Sequence, residues 1–266
     1  MSSNPSQDLI FFKDNSLISS DILASPYAYL STITYNQSTS PTWLVNSLIE
    51  TSLVGSANLV NTDLKRVANR SKVTVISFVH NKEQYVLNCK KNIDLEHNGK
   101  NFTFVDYFTK LFTELIKDPE NASMEVGKLF DVDVMDGVVF LENPEILLYG
   151  TSITSDELLF NIMKLNKKCK QLFVISAKGE NVVNNDALLP TDPGFKESDF
   201  LIKLFHRSQL NISLQPLNTG RAKDITGSLT VSKGAIPYYK LPNLKINERE
   251  YVYNVTKDSQ IKLYYR

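Results

Sequence analysis

The chain has 266 residues, 42% of them apolar and 22% charged, and its 29 basic residues balance 29 acidic ones. This length and composition suit a globular α/β protein with a full-sized core and argue against a disordered or fibrous chain. No run of eighteen apolar residues argues for a membrane span. Cys89 and Cys169, far apart, suit a reducing compartment.

The first twenty residues carry Asp8, Lys13 and Asp14 and lack the pattern of a secretory signal. Ala28–Thr34 then reads as a buried strand. A polar loop, Tyr35-Asn36-Gln37-Ser38-Thr39-Ser40-Pro41, leads into a helix at Thr42, with Trp43, Leu44, Ser47, Leu48 and Thr51 at helical spacing and Gly55 at its end. Strand, loop and helix follow in the order in which a P-loop NTPase places G-x-x-x-x-G-K-[ST]. This loop has neither glycine nor lysine. Its backbone is therefore poorly suited to wrap phosphates, and no ammonium bridges the β- and γ-phosphates.

Residues 56–71 read as a loop, Val73–Val79 as a strand, Lys82–Lys91 as a helix and Phe102–Val105 as a strand. Phe108, Leu111, Phe112 and Leu115 mark a further helix, and an acidic stretch over 118–136 precedes a buried strand, Val138–Leu141. Asp156–Lys167 is helical, Gln171–Ser176 is a strand, and the polar stretch Lys178–Ser198 reads as a surface loop. After about residue 205 strands follow one another without helices, at Leu210–Leu214, Gly227–Val231, Glu250–Val255 and Ile261–Tyr265. The expectation is one α/β domain over 1–266. Its sheet is mostly parallel and flanked by helices, with antiparallel strands appended at the C-terminus.

Few residues suggest chemistry. Val138-Val139-Phe140-Leu141-Glu142 has the form of a Walker B strand, but glutamate replaces the usual aspartate and no phosphate-loop hydroxyl exists to share a magnesium ion. Glu142 reads as structural or as a remnant. His80, His97 and His206 are isolated in sequence, no metal-ligand spacing occurs, and no cofactor is expected.

Charge is uneven. Residues 1–60 hold one basic residue against four acids, residues 101–200 nine against seventeen, and residues 201–266 eleven against four. Within the basic C-terminal quarter, Asn218–Gly227 sets Arg221 and Lys223 between two glycines and two expected strands, and Lys233 follows. Such cations suit nucleic-acid phosphate or an acidic partner surface. The tyrosines among them, Tyr238, Tyr239, Tyr251, Tyr253, Tyr264 and Tyr265, favour packing at a sheet surface over stacking on bases.

Thr219–Leu229, Glu250–Tyr253 and Lys262–Arg266 together resemble the sixth-subunit family of the fungal Elongator complex. Gln7–Leu9, Trp43–Thr51 and Glu142–Leu148 extend the resemblance over nearly the whole chain. It implies a RecA-like fold with a degenerate phosphate loop. It also implies a hexameric ring with the fourth and fifth Elongator subunits, two copies of each, docked on the catalytic Elongator lobe that modifies wobble uridine at C5. On this resemblance the ring binds tRNA and carries ATPase activity, this subunit is non-catalytic, and its location is cytoplasmic with the nucleus as a second site. Arg221, Lys223 and Lys233 become candidates for tRNA or inter-subunit contact, and Glu142 for a Walker B remnant. A purely structural ring-closing subunit is the alternative. An ATPase with an unorthodox loop ranks last, since glycine and lysine are both missing.

Overall fold

A computed structural model describes residues 6–61, 70–89, 93–95, 100–134, 136–179, 189–217, 220, 222, 224–256 and 260–266. Among the described residues nine strands form one sheet: β1 Tyr29–Tyr35, β2 Val73–Ser77, β3 Phe102–Asp106, β4 Val138–Glu142, β5 Gln171–Ala177, β6 Leu210–Gln215, β7 Gly227–Lys233, β8 Arg249–Val255 and β9 Ile261–Tyr265. The spatial order is β3-β2-β4-β5-β1-β6-β7-β8-β9. Pairings from β3 to β6 are parallel, and those from β6 to β9 are antiparallel. The expected mixed sheet is therefore present, and β6 is where the direction of pairing changes.

The apolar runs of β4 and β5 are continuous because both sheet faces are covered. Val138, Phe140, Phe173 and Ile175 enter one core, and Val139, Leu141, Leu172 and Val174 enter the other. The first core is roofed by α2 (Thr42–Val54), α3 (Lys82–Cys89) and the N-terminal segment, whose Leu9, Phe11 and Phe12 are fully buried. The second is covered by α4 (Ser123–Leu129), α5 (Ile146–Gly150), α6 (Ser155–Asn166) and α7 (Pro193–Phe205). The short α1 (Ser20–Ala24) joins the first roof through buried Ile22.

Helix α2 begins at Thr42, as its spacing predicts, and Gly55 ends it in the left-handed region at φ 85°. It is buried nearly all round, from Trp43 to Leu53. Helix α6 opens with a capping box: Thr154 Oγ1 accepts from Glu157 N at 3.2 Å, and Glu157 Oε2 accepts from Thr154 N at 2.8 Å. Thr154→Ala is expected to lower stability by about 1 kcal/mol, read as a shifted urea midpoint at unchanged slope.

Two expectations are corrected. The stretch Lys178–Ser198 is not loop throughout, because α7 starts at Pro193, with Pro in its first turn. Pro193-Gly194 looks like turn punctuation in sequence, yet proline suits the first helical position, and Phe200, Leu201 and Leu204 supply a buried face. Residues 180–188 of that stretch, like 62–69 of the expected loop 56–71, fall outside the described residues. The helix expected around Phe108–Leu115 is a single π turn, Leu111–Leu115, closed by Ile116 N donating to Leu111 O at 2.8 Å. Leu111 and Ile116 are the buried residues, five apart, while Phe108 and Phe112 stay largely exposed.

Candidate functional site at the carboxyl edge of the sheet

In a parallel α/β sheet, ligands gather beyond the carboxyl ends of the strands. Here β1, β2, β4 and β5 end at Tyr35, Ser77, Glu142 and Ala177, and a connected polar cluster sits at those ends. Glu142 is 5% exposed. Its carboxylate accepts from Ser77 Oγ at 2.5 Å and lies 3.0 Å from His80 Nδ1, while Ser77 Oγ accepts from His80 N at 2.9 Å. The hydrogen bond to Glu142 raises the His80 pKa above 6.5, against the opposing effect of burial. The pair was invisible in sequence: 62 positions separate its members, and His80 reads there as isolated.

Next to this pair, Asn143 adopts φ 51°, a left-handed conformation that asparagine tolerates. Its Nδ2 donates to Tyr35 Oη at 3.0 Å and to Glu145 Oε1 at 2.8 Å. Glu145 Oε1 also accepts from Ala177 N at 2.9 Å. Burial pushes the Glu145 carboxyl up to about 7 and the Tyr35 hydroxyl up to about 12. Glu142 is thus held by neighbouring side chains, and among the described residues no group of three or more His, Cys, Asp or Glu is placed to hold a metal ion.

The β1–α2 loop spends its polar groups on itself. Asn36 Oδ1 accepts from Ser38 N at 3.0 Å and Ser38 Oγ at 2.9 Å, and Asn36 O accepts from Thr39 N at 2.8 Å. Asn36 N donates to Leu214 O at 3.3 Å, tying the loop to β6. A phosphate cradle instead needs backbone N–H groups aimed outward together.

Arg221 and Lys223 lie outside the described residues. Their neighbours Gly220, at φ 85°, and Ala222, bridged to Ile225, belong to the β6–β7 connection. Lys233 ends β7, six residues after Gly227 and so roughly 20 Å along the strand. It pairs with Glu248 at 2.6 Å and shares a hollow of about 350 Å³ with Lys13 and Lys245. Other cations of the basic quarter are also engaged. Lys203 pairs with Asp156 and Asp199, Arg266 pairs with Glu250, and Arg249 lies over the Tyr265 ring. Of the tyrosines, Tyr251 and Tyr253 are fully buried and Tyr238 nearly so, whereas Tyr239 is exposed.

The fold, with β1 leading through a loop into α2, is shared with a solved structure. The crystal structure of flagellar accessory protein FlaH from Methanocaldococcus jannaschii superposes with a TM-score of 0.56 at 12% identity, covering 97% of this chain and 100% of that one. No protein-family profile matches. Elongator complex protein 6 of Saccharomyces cerevisiae is 30% identical, and the alignment takes in 100% of both chains. The chain belongs to the family of Elongator complex protein 6. No helix among the described residues is long and apolar enough to cross a membrane.

Proposed function

We propose that this chain is a non-catalytic RecA-like subunit of an Elongator ring, folded as one domain, which supplies subunit interfaces and part of a tRNA-binding surface. The observation that carries the reading is end-to-end likeness to Elongator complex protein 6. In this reading the ring is a hexamer with the fourth and fifth Elongator subunits and serves wobble-uridine modification by the catalytic lobe. The loop without glycine or lysine, closed on itself by Asn36, supports a subunit without nucleotide hydrolysis of its own.

Arg221 and Lys223 are the cations assigned to tRNA phosphate or to a neighbouring subunit. Lys233, at the far end of β7 with Lys13 and Lys245, is a separate contact point. The test is tRNA binding by the reconstituted ring over a salt series, wild type against Arg221→Ala/Lys223→Ala, with mass measured in parallel. Removing one cation from a phosphate should flatten the slope by roughly 0.7–0.9 log units per log of salt. Weaker binding with a shallower slope at full mass is expected. Unchanged binding and slope overturn the tRNA assignment, and a collapsed mass assigns the loop to ring closure instead.

A further inference from the structure

The hollow of about 350 Å³ that Lys233 shares with Lys13 and Lys245 opens where β6 starts and β7 ends, at the end of β6 away from the carboxyl-edge cluster. That volume lies within the roughly 300–1,000 Å³ of small-ligand sites. Local pairing places its lysines. Phe12 and Ile246 face each other in an antiparallel bridge, and Lys13 N donates to Lys245 O at 2.9 Å. Side chains alternate along such a pairing, so Phe12 and Ile246 turn inward while Lys13 and Lys245, beside them, are exposed. On the other side Gly234 N donates to Gln209 O at 2.8 Å, which turns the chain after β7 across the start of β6. The wall between the lysines is apolar. Pro237 and Ala235 in it are exposed, and Leu244 and Ile246 keep 8% and 6% of their surface open.

Charge at this rim is one-sided. Asp14, next to Lys13, spends both carboxylate oxygens on Ser16 and Ser19. Among the described residues Lys13 and Lys245 form no ion pair. Lys233 does have a partner: its Nζ lies 2.6 Å from Glu248 Oε2, and its backbone N donates to Glu248 Oε1 at 3.2 Å. Glu248 thus shows how a carboxylate meets this rim, and two further ammonium groups stand ready for carboxylates from outside.

We propose that this hollow docks an acidic peptide segment of a partner protein. One aliphatic side chain of the segment lies against Pro237, Leu244 and Ile246, and its flanking carboxylates meet Lys13 and Lys245. RNA fits less well, because a phosphodiester has no apolar group for the wall. The described lining also has no exposed aromatic ring on which a base stacks: Tyr238 is 7% exposed, its ring packed against Phe12 and Tyr29. The inference gives a partner class to the Lys233 contact point, and so rests on the reading above for that point alone. Its test needs neither ring nor tRNA, so either assignment can fail without the other.

The probe is a fluorescein-labelled peptide with one leucine between two pairs of glutamates, titrated with the full chain at low salt and followed by fluorescence anisotropy. Saturable binding with a Kd of roughly 0.1 mM or tighter is expected. Exchanging the peptide's leucine for serine should weaken it about tenfold. Lys13→Ala/Lys245→Ala should also weaken it about tenfold. Glu248→Gln, which frees Lys233, should tighten it about threefold. Lys82→Ala/Lys117→Ala removes two cations that do not line the hollow and should leave binding unchanged. If circular dichroism shows the Lys13/Lys245 variant unfolded, Ala235→Glu at the exposed wall should weaken binding about fivefold by setting a carboxylate there. No saturable binding at about 1 mM chain overturns the site, as does unchanged affinity in the folded variants. Equal binding of the leucine and serine peptides overturns the apolar anchor and leaves charge alone. A single-stranded RNA of equal charge that binds more tightly, and loses that binding in the same variants, overturns the peptide in favour of RNA.

Discussion

Phe173→Ala is expected to cost about 3–5 kcal/mol of stability, a large share of the roughly 5–15 kcal/mol that holds a typical domain folded. Phe173 and Phe140 face each other in the β4–β5 register, both fully buried, with ring centroids 5.2 Å apart and planes 6° from parallel. They sit at the centre of the sheet under the α2 roof, where β4, β5 and the N-terminal segment offer little room to collapse into the void. Urea denaturation of the full chain measures the loss. Phe173→Leu should restore about half of it, since the cavity is smaller. Tyr239→Ala, at a residue 77% exposed, should stay within about 0.5 kcal/mol of wild type. A loss below about 1 kcal/mol for Phe173→Ala would mean that this face of the sheet repacks freely.

The second large effect is on pH dependence. Glu145 is buried at the carboxyl edge, and its folded-state pKa of about 7 stands above the ordinary 4.5. The folded chain therefore holds the proton more tightly than the unfolded chain. Its stabilising contribution is complete below about 4.5 and is lost as pH rises through about 7. At 1.36 kcal/mol per pKa unit, the loss by about pH 8 is on the order of 3 kcal/mol. Glu145→Gln keeps an oxygen for Ala177 N and Asn143 Nδ2 but has no charge to bury, so it should be more stable than wild type above about pH 7 and near wild type below about 4.5. His80 works in the same direction. Its raised pKa gives stability that is full below 6.5 and is lost as pH rises through the folded value. Thermal midpoints of wild type, Glu145→Gln and His80→Asn across that range check both. A flat Glu145→Gln-minus-wild-type difference would remove Glu145 from the account.

How much of the site was legible follows from sequence distance. The absent phosphate loop could be read outright, because glycine and lysine at fixed spacing are a local requirement, and Asn36-Gln37-Ser38-Thr39-Ser40 meets none of it. Glu142 stood out as an acid ending an apolar strand. Its tie to His80 and Ser77 did not, since β2 and β4 become neighbours only when the sheet forms. The contact of Trp43 with Tyr253 was less legible still. Trp43 looks like an ordinary member of an amphipathic helix, and Tyr253 like a strand residue. Only the extension of the sheet through β7 and β8 brings their rings to 5.1 Å.

Local chemistry alone determined the succession of strands, the start of α2 at Thr42, its end at Gly55 and the switch to antiparallel pairing after β6. Each depends on periodicity, capping or turn residues acting over a few positions. Tertiary structure decided what those elements meet. It tied the N-terminal segment to distant parts of the chain: Leu9 N donates to Asn61 Oδ1 at 2.6 Å, and Ile10 N donates to Tyr251 Oη at 3.2 Å. It also set Lys233 among Lys13, Lys245 and Glu248. The physical reason is common to all of these. Hydrogen bonding and side-chain period are fixed within a turn or a strand, whereas burial, pKa and clustering of charge depend on packing between segments far apart in the chain.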